Sequence, residues 1–386
     1  MISGALPPPF PGFSAQEMAR RRKALEAVMD AEGLERVVLY GANRSGSAVS
    51  WLTGWPVTRE AHVLVTRGEP SVLLVSFYNH VPEARRRATA ADVRFAGDDP
   101  AATLVELLRE HGAERRPVGF VGSLPWDQYA ALADGRRLVP LNGAHTRLRL
   151  RKSHEELSAL RHAAALTDAA ARALVDGPLV GCTEHELAAR IEAAYVAHGG
   201  MHHIHYVGVT SMSAPDRSVP AQWPRSRRVA AGDLLTFELS AAVAPEYSGQ
   251  LLRSVAVAAK PTEQVQRLHD VAEAALDAVA ARLRPGVHAQ ELVDAAAVIE
   301  DAGFTTVDDL VHGFGGGYLP PVIGSRSRSI RPTPDMTLEA GMTVVVQPNV
   351  ATPDGTLGVQ TGELLLVTDG GPQRLHGFPR GLLRGA

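Results

Sequence analysis

The chain has 386 residues, a formal net charge of −3, and a composition that is 45% apolar and 21% charged. Those figures supply a large core, argue for two domains and exclude global disorder. Near-balanced charge without a basic stripe excludes the footprint of a nucleic-acid binder, and the single cysteine, Cys182, excludes an internal disulfide framework or cysteine-based zinc site.

Met1 to Ser14 is proline-rich, with no basic segment leading into an apolar one, so no secretory signal is expected. No apolar run approaches the ~18 residues of a membrane span. A cytoplasmic chain is expected, with neither membrane nor nucleic acid as partner. Ser14 is placed to cap a helix carrying Met18, Leu25 and Val28, with Gly33 where it should stop. Val37–Tyr40 reads as a strand. Ala61–Thr66 and Pro70–Phe77 read as two strands of a hairpin turning at Arg67-Gly68-Glu69. A helix over Ala101–His111 and a strand over Val118–Val121 complete a mixed α/β domain, residues 1–146.

Arg147 to Lys152 reads as a basic linker opening a second domain, residues 147–386. Leu157, Leu160, Ala164 and Leu166 have helical spacing. Thr183 followed by Glu186 is a capping-box pattern for a further helix. Strands are expected at Leu234–Leu239 and Leu251–Ala258, helices at Thr262–Arg284 and His288–Gly303, and strands at Met342–Gln347 and Glu363–Thr368. This half is α+β.

Few residues carry chemistry on their own. The glycine-rich stretch from His312 to Tyr318 is no phosphate-binding fingerprint and reads as a tight, close-approach backbone. His202, His203 and His205 lie together; in an extended segment His203 and His205 share a face, which is compatible with a metal or with a rim of hydrogen-bonded imidazoles. Glu238 interrupts an apolar strand. Such a carboxylate is paired, bound to substrate or protonated, unless it points outward with Phe237 and Leu239 inward.

Several motifs then follow one another in an order that resembles the creatinase, prolidase and methionine-aminopeptidase superfamily, with its pita-bread fold. They are Trp51-Leu52-Thr53-Gly54, Arg149 to Leu157, Gly181 to Leu187, Gly232-Asp233, His312-Gly313 and Leu338 to Met342. The resemblance implies a creatinase-like α/β N-terminal domain and an α+β pita-bread catalytic domain. Metallopeptidases of that superfamily hold two divalent cations with Asp, Asp, His, Glu and Glu. Carried across, those positions fall at Glu238, Gln250, Gly316, Gln347 and Gly362, with Glu363 one residue beyond. Packed carboxylates need cations to neutralise their repulsion, and amides do not. No metal and no cofactor is therefore expected. Creatinase is the precedent for hydrolysis without metals, and His376-Gly377-Phe378-Pro379 resembles its ending. Its catalytic His falls near Gln222 and its guanidinium-binding Glu positions near Leu252 and Thr361, so creatine is not the expected substrate.

The reading is a metal-independent hydrolase of a C–N bond (amide, amidine or ureide) in a small polar molecule. His312 is the first candidate for general base and His205 the second. Glu238, Gln250, Gln347, Gln222, Tyr318 and Glu363 are candidate substrate contacts. Arg253 either pairs with a substrate carboxylate or makes a structural salt bridge. The resemblance also implies a homodimer. Two alternatives stay open: a non-catalytic binding module, and a metallopeptidase with ligands relocated among His203, His205, Glu238, His312 and Glu363.

Overall fold

The structure is a computed structural model that describes residues 6, 8–43, 46–328 and 332–386. It divides into two compact units, Pro11–Arg149 and Leu150–Ala386, the latter joined by the residues up to Phe10.

The first unit runs α1 (Ala15–Ala31), β1 (Arg36–Ala42), α2 (Ala48–Thr53), β2 (Glu60–Thr66), β3 (Ser71–Val75), α3 (Val81–Arg87), β4 (Ala91–Phe95), α4 (Pro100–Glu110), β5 (Val118–Val121), α5 (Trp126–Ala133), β6 (Leu138–Pro140) and α6 (Asn142–Leu150). The strands form one sheet in the order β4-β3-β2-β1-β5-β6. The Ser14 hydroxyl accepts from the Glu17 amide, as a cap should. β2 and β3 form the expected hairpin, with Gly68 at φ +71°, a backbone shape that favours glycine. Side chains alternate along β1. Val37 and Leu39 pack with Leu25 and Met29 of α1. Val38 and Tyr40 pack with Leu104 and Leu108 of α4. Helices therefore cover both faces, the α/β layering anticipated from sequence.

The second unit runs α7 (His154–Asp176), α8 (Glu184–Val196), β7 (Met201–Ser211), β8 (Asp233–Ala244), β9 (Tyr247–Ser248), β10 (Leu251–Val257), α9 (Glu263–Ala280), α10 (Ala289–Ala295), α11 (Val298–Asp301), β11 (Thr305–Thr306), β12 (Val311–Phe314), β13 (Tyr318–Ile323), β14 (Thr343–Val346), β15 (Val350–Ala351), β16 (Gly362–Thr368), β17 (Gly371–Arg374) and β18 (Leu383–Gly385). Its main sheet has the order β13-β12-β14-β16-β10-β8-β7. One face is roofed by helices. Leu235, Phe237 and Leu239 of β8 pack with α7 and α8 through Leu166, Leu187 and Ile191. Val344, Val346, Leu365 and Val367 pack with α9 through Val265, Leu268 and Leu276. Each such fully buried side chain contributes about 1.5–3 kcal/mol. Thr183 and Glu186 make both bonds of the capping box.

Three sequence expectations need correction. Arg147–Leu150 is not linker but the last turn of α6, and only Arg151 and Lys152 separate it from Ser153, which caps α7. The helix expected over His288–Gly303 is two short ones, α10 and α11. The helix expected to reach Arg284 ends at Ala280. The glycine run is the turn of the β12–β13 hairpin: Gly315, Gly316 and Gly317 all have positive φ, and a Cβ on Gly313 would sit 2.5 Å from the Pro320 carbonyl oxygen. No described helix is long and apolar enough to cross a membrane.

Candidate functional site

Strand register decides which side chains meet. In an antiparallel pair, directly opposed residues point to the same face and their neighbours to the other. Because Phe237 and Leu239 face the helices, Glu238 faces away from them. Register then carries that open face across the sheet. Glu238 opposes Leu252 and Tyr206. Leu252 opposes Gly362. Leu364, two residues on, opposes Val345, which opposes His312. Gln250 and Gln347 lie two residues from Leu252 and Val345, on the same face.

On that face Glu238, Gln250 and Gln347 form one buried polar network. The Gln250 Nε2 donates to Glu238 Oε1 at 2.8 Å and to Gln347 Oε1 at 3.0 Å, which uses both its protons. Gln250 Oε1 is buried and accepts no hydrogen bond. His312 is buried, with Nδ1 3.3 Å from the Gly313 carbonyl oxygen. Tyr318 stacks on it, ring centroids 4.3 Å apart, exposes its own outer face, and donates its hydroxyl proton to Asp309. The His203 ring lies 5.8 Å from Phe314, which in turn contacts His312 at 5.4 Å. That contact joins the first residues of β7 to β12 across the curl of the sheet.

Burial sets the protonation states. It pushes the Glu238 carboxyl up to about 8, helped by the nearby Asp308. It pulls the His312 imidazole down to about 4, against the opposing influence of the Gly313 carbonyl, Asp309 and Gln347. Asp308 is raised as well, by its own burial, against the opposing hydrogen bond from the Asp309 amide. At neutral pH the face therefore presents a carboxylic acid, two amides and a neutral imidazole.

Of the residues singled out from sequence, the structure brings together His312, Glu238, Gln250, Gln347 and Tyr318. It does not bring the other four to them. His205 opposes Leu239, so alternation turns it to the helix side, where its ring packs on Tyr195 of α8. Arg253 opposes Phe237 and also faces the helices. Its guanidinium donates to the carbonyls of Pro379, Leu252 and Gly362 and to Glu363 Oε2 at 2.9 Å. Of its two sequence readings, the salt bridge is the one formed. Glu363 is held by Arg253 and Arg374 together. Gln222 is exposed in the connection between β7 and β8. Sequence reasoning missed Tyr206, Asp308 and Asp309. Two adjacent acids just ahead of an apolar strand were a readable signal; Tyr206 becomes visible only with the register.

The sheet's polar face invites comparison with known proteins. Residues 158–369 match the model of metallopeptidase family M24, and residues 21–151 match the creatinase/prolidase N-terminal domain. The chain belongs to metallopeptidase family M24. It is 26% identical to a probable dipeptidase PepE of Mycobacterium tuberculosis, over 96% of this chain and 97% of that protein. It is 25% identical to an Xaa-Pro dipeptidase of Pyrococcus furiosus, over 95% of this chain and 100% of that protein. The crystal structure of dipeptidase PepE from Mycobacterium ulcerans superposes with a TM-score of 0.78 at 25% identity, covering 96% and 99% of the two chains. A prolidase from Thermococcus sibiricus superposes with a TM-score of 0.81 at 20% identity, covering 96% and 100%. M24 membership accounts for the pita-bread catalytic unit and its creatinase-type N-terminal partner, and places the chain among enzymes that hydrolyse C–N bonds.

At the positions where the resemblance puts M24 metal ligands, the donors are unlike a dication pair. Gln250 and Gln347 are neutral and bonded to one another. Gly316 and Gly362 carry no side chain. A Cβ on Gly362 would lie 2.6 Å from the Val346 carbonyl oxygen, so the backbone has closed over the place a carboxylate would need. Glu363 is paired with two arginines. One carboxyl, itself favouring its proton, does not fit a pair of divalent cations, which takes oxygen ligands carrying negative charge.

Proposed function

We propose that this chain hydrolyses a C–N bond of amide type in a small polar molecule without a metal ion pair, with His312 as general base. The observation that supports it most is the Glu238–Gln250–Gln347 network, which is neutral and leaves one buried acceptor, Gln250 Oε1, unmatched. An amide or ureide N–H is the group such an acceptor suits.

The roles follow from protonation. With Nδ1–H donating to the Gly313 carbonyl, His312 has its Nε2 lone pair available to take a proton from water. The water oxygen adds to the substrate carbonyl carbon. Glu238, protonated at neutral pH, gives its proton to the departing nitrogen as the C–N bond breaks. The imidazolium proton then returns to the Glu238 carboxylate through solvent. Tyr318 covers His312 and positions its ring. Homodimer formation, implied by the sequence resemblance, belongs to the same proposal, as does a cytoplasmic setting.

The test is a turnover panel of dipeptides, acyl amides, amidines and ureides, run with and without a chelator. Turnover unaffected by the chelator, and lowered ~10²–10⁴-fold by His312→Ala in a folded chain, is expected. Full activity in His312→Ala, or no turnover across the panel, contradicts the proposal. A second reading, a metal-dependent dipeptidase, draws on M24 membership and the Xaa-Pro dipeptidase relatives. Activity abolished by the chelator and restored by a divalent cation is its mark.

A further inference from the structure

We propose that Glu192, His202 and His205 form a mononuclear zinc-type site on the helix side of the sheet, separate from the network around Glu238. In a regular strand, residues three apart point to opposite faces. Here β7 carries a bulge. His202 opposes Ala241 and Ile204 opposes Ser240, so His203 is the extra, unpaired residue. Opposite them on β8, Ala241 and Leu239 share the helix-side face, so His202 and His205 share it too. The bulge thus separates His203, which turns toward Phe314, from the other two.

On that side α8 supplies the third group. Leu187, Ile191 and Tyr195 anchor the helix in the core, and Glu192, next to Ile191, stands at its edge beside the two imidazoles. The Nδ1 atoms of His202 and His205 are 3.0 Å apart, and Glu192 Oε1 is 3.6 Å and 3.5 Å from them. Zinc–ligand bonds of about 2.0–2.1 Å in tetrahedral geometry place ligand atoms about 3.3 Å from one another. The three observed separations bracket that edge. Two imidazoles and a carboxylate are a donor set for borderline divalent ions such as zinc, rather than for magnesium or calcium. His205 is buried and its ring is fixed between Tyr195 and His202. Glu192 and His202 are 51% and 41% exposed, which leaves solvent access for a fourth ligand. The ion would clip α8 to the first residues of β7.

Zinc titration of the full chain against a chromophoric competitor tests this. The wild-type chain is expected to take one equivalent, and thermal unfolding is expected to move upward with zinc. His202→Ala and Glu192→Gln, both at exposed positions, should fold normally, bind zinc at least ~10-fold more weakly and lose the thermal shift. His312→Ala and Glu238→Gln should keep both. Absence of zinc binding by the wild-type chain overturns the proposal. So does zinc binding that survives His202→Ala but is lost in Glu238→Gln; that result would also place the ion on the opposite face and contradict the metal-free hydrolase reading.

Discussion

The two faces of the catalytic sheet differ by a single step of strand alternation and manage charge in opposite ways. On the helix face, at Arg253, Glu363 and Arg374, full charges are kept and every carboxylate oxygen is matched by a guanidinium. On the open face, at Glu238, Gln250 and Gln347, charge is absent: amides stand in two places and the carboxyl keeps its proton. Burial alone does not explain the difference, since Arg253 and Glu363 are as buried as Glu238, Gln250 and Gln347. Partners do. A buried charge survives where a counter-charge with good geometry meets it. Where none is available, the sequence supplies neutral groups or the group neutralises itself.

Removing a charge from the paired face should have the largest effect. Arg253→Ala leaves Glu363 with Arg374 alone and three carbonyls without their donor. A loss of about 3–5 kcal/mol in chemical denaturation is expected. Wild-type stability combined with a raised KM would instead make Arg253 a substrate ligand and erase the contrast between the faces.

A pH-dependent effect, absent in acid and growing as pH rises, should come from the open face. The Glu238 carboxyl is raised in the fold from an ordinary 4.5 to about 8. Its contribution to stability is therefore fully present below about pH 4.5 and lost as pH rises toward 8, at about 1.4 kcal/mol per pH unit. Glu238→Gln keeps the shape and removes the titration. The variant should match the wild type in acid and become progressively more stable than it between about pH 5 and 8. Parallel stability profiles for the two chains would mean that Glu238 is ionised in the fold.

The elements of both units were largely legible. Ser14, Gly68 and the Thr183–Glu186 pair carry their own local chemistry, and apolar runs marked β1, β8 and β10. What sequence could not supply was facing. His205 was read as a site residue because it lies among histidines, yet the alternation of β7 sends it to the other side of the sheet, and the bulge at His203 parts it from that histidine. The same bulge brings His202 to His205, and Glu192 reaches them only because α8 packs there. Glu363 was one residue from a family position, and in a strand one residue is a change of face. The meeting of Glu238, Gln250 and Gln347 was readable only through the order of family motifs, because they sit in or beside three different strands and Gln250 and Gln347 are 97 residues apart in the chain.

The most direct test of the neutral face is metal retention. The His202→Ala chain, loaded in turn with manganese, cobalt and zinc and then desalted, should hold well under one equivalent of each. Two equivalents retained, and released by Glu238→Gln, would show that the face carries a dication pair after all and would contradict the account.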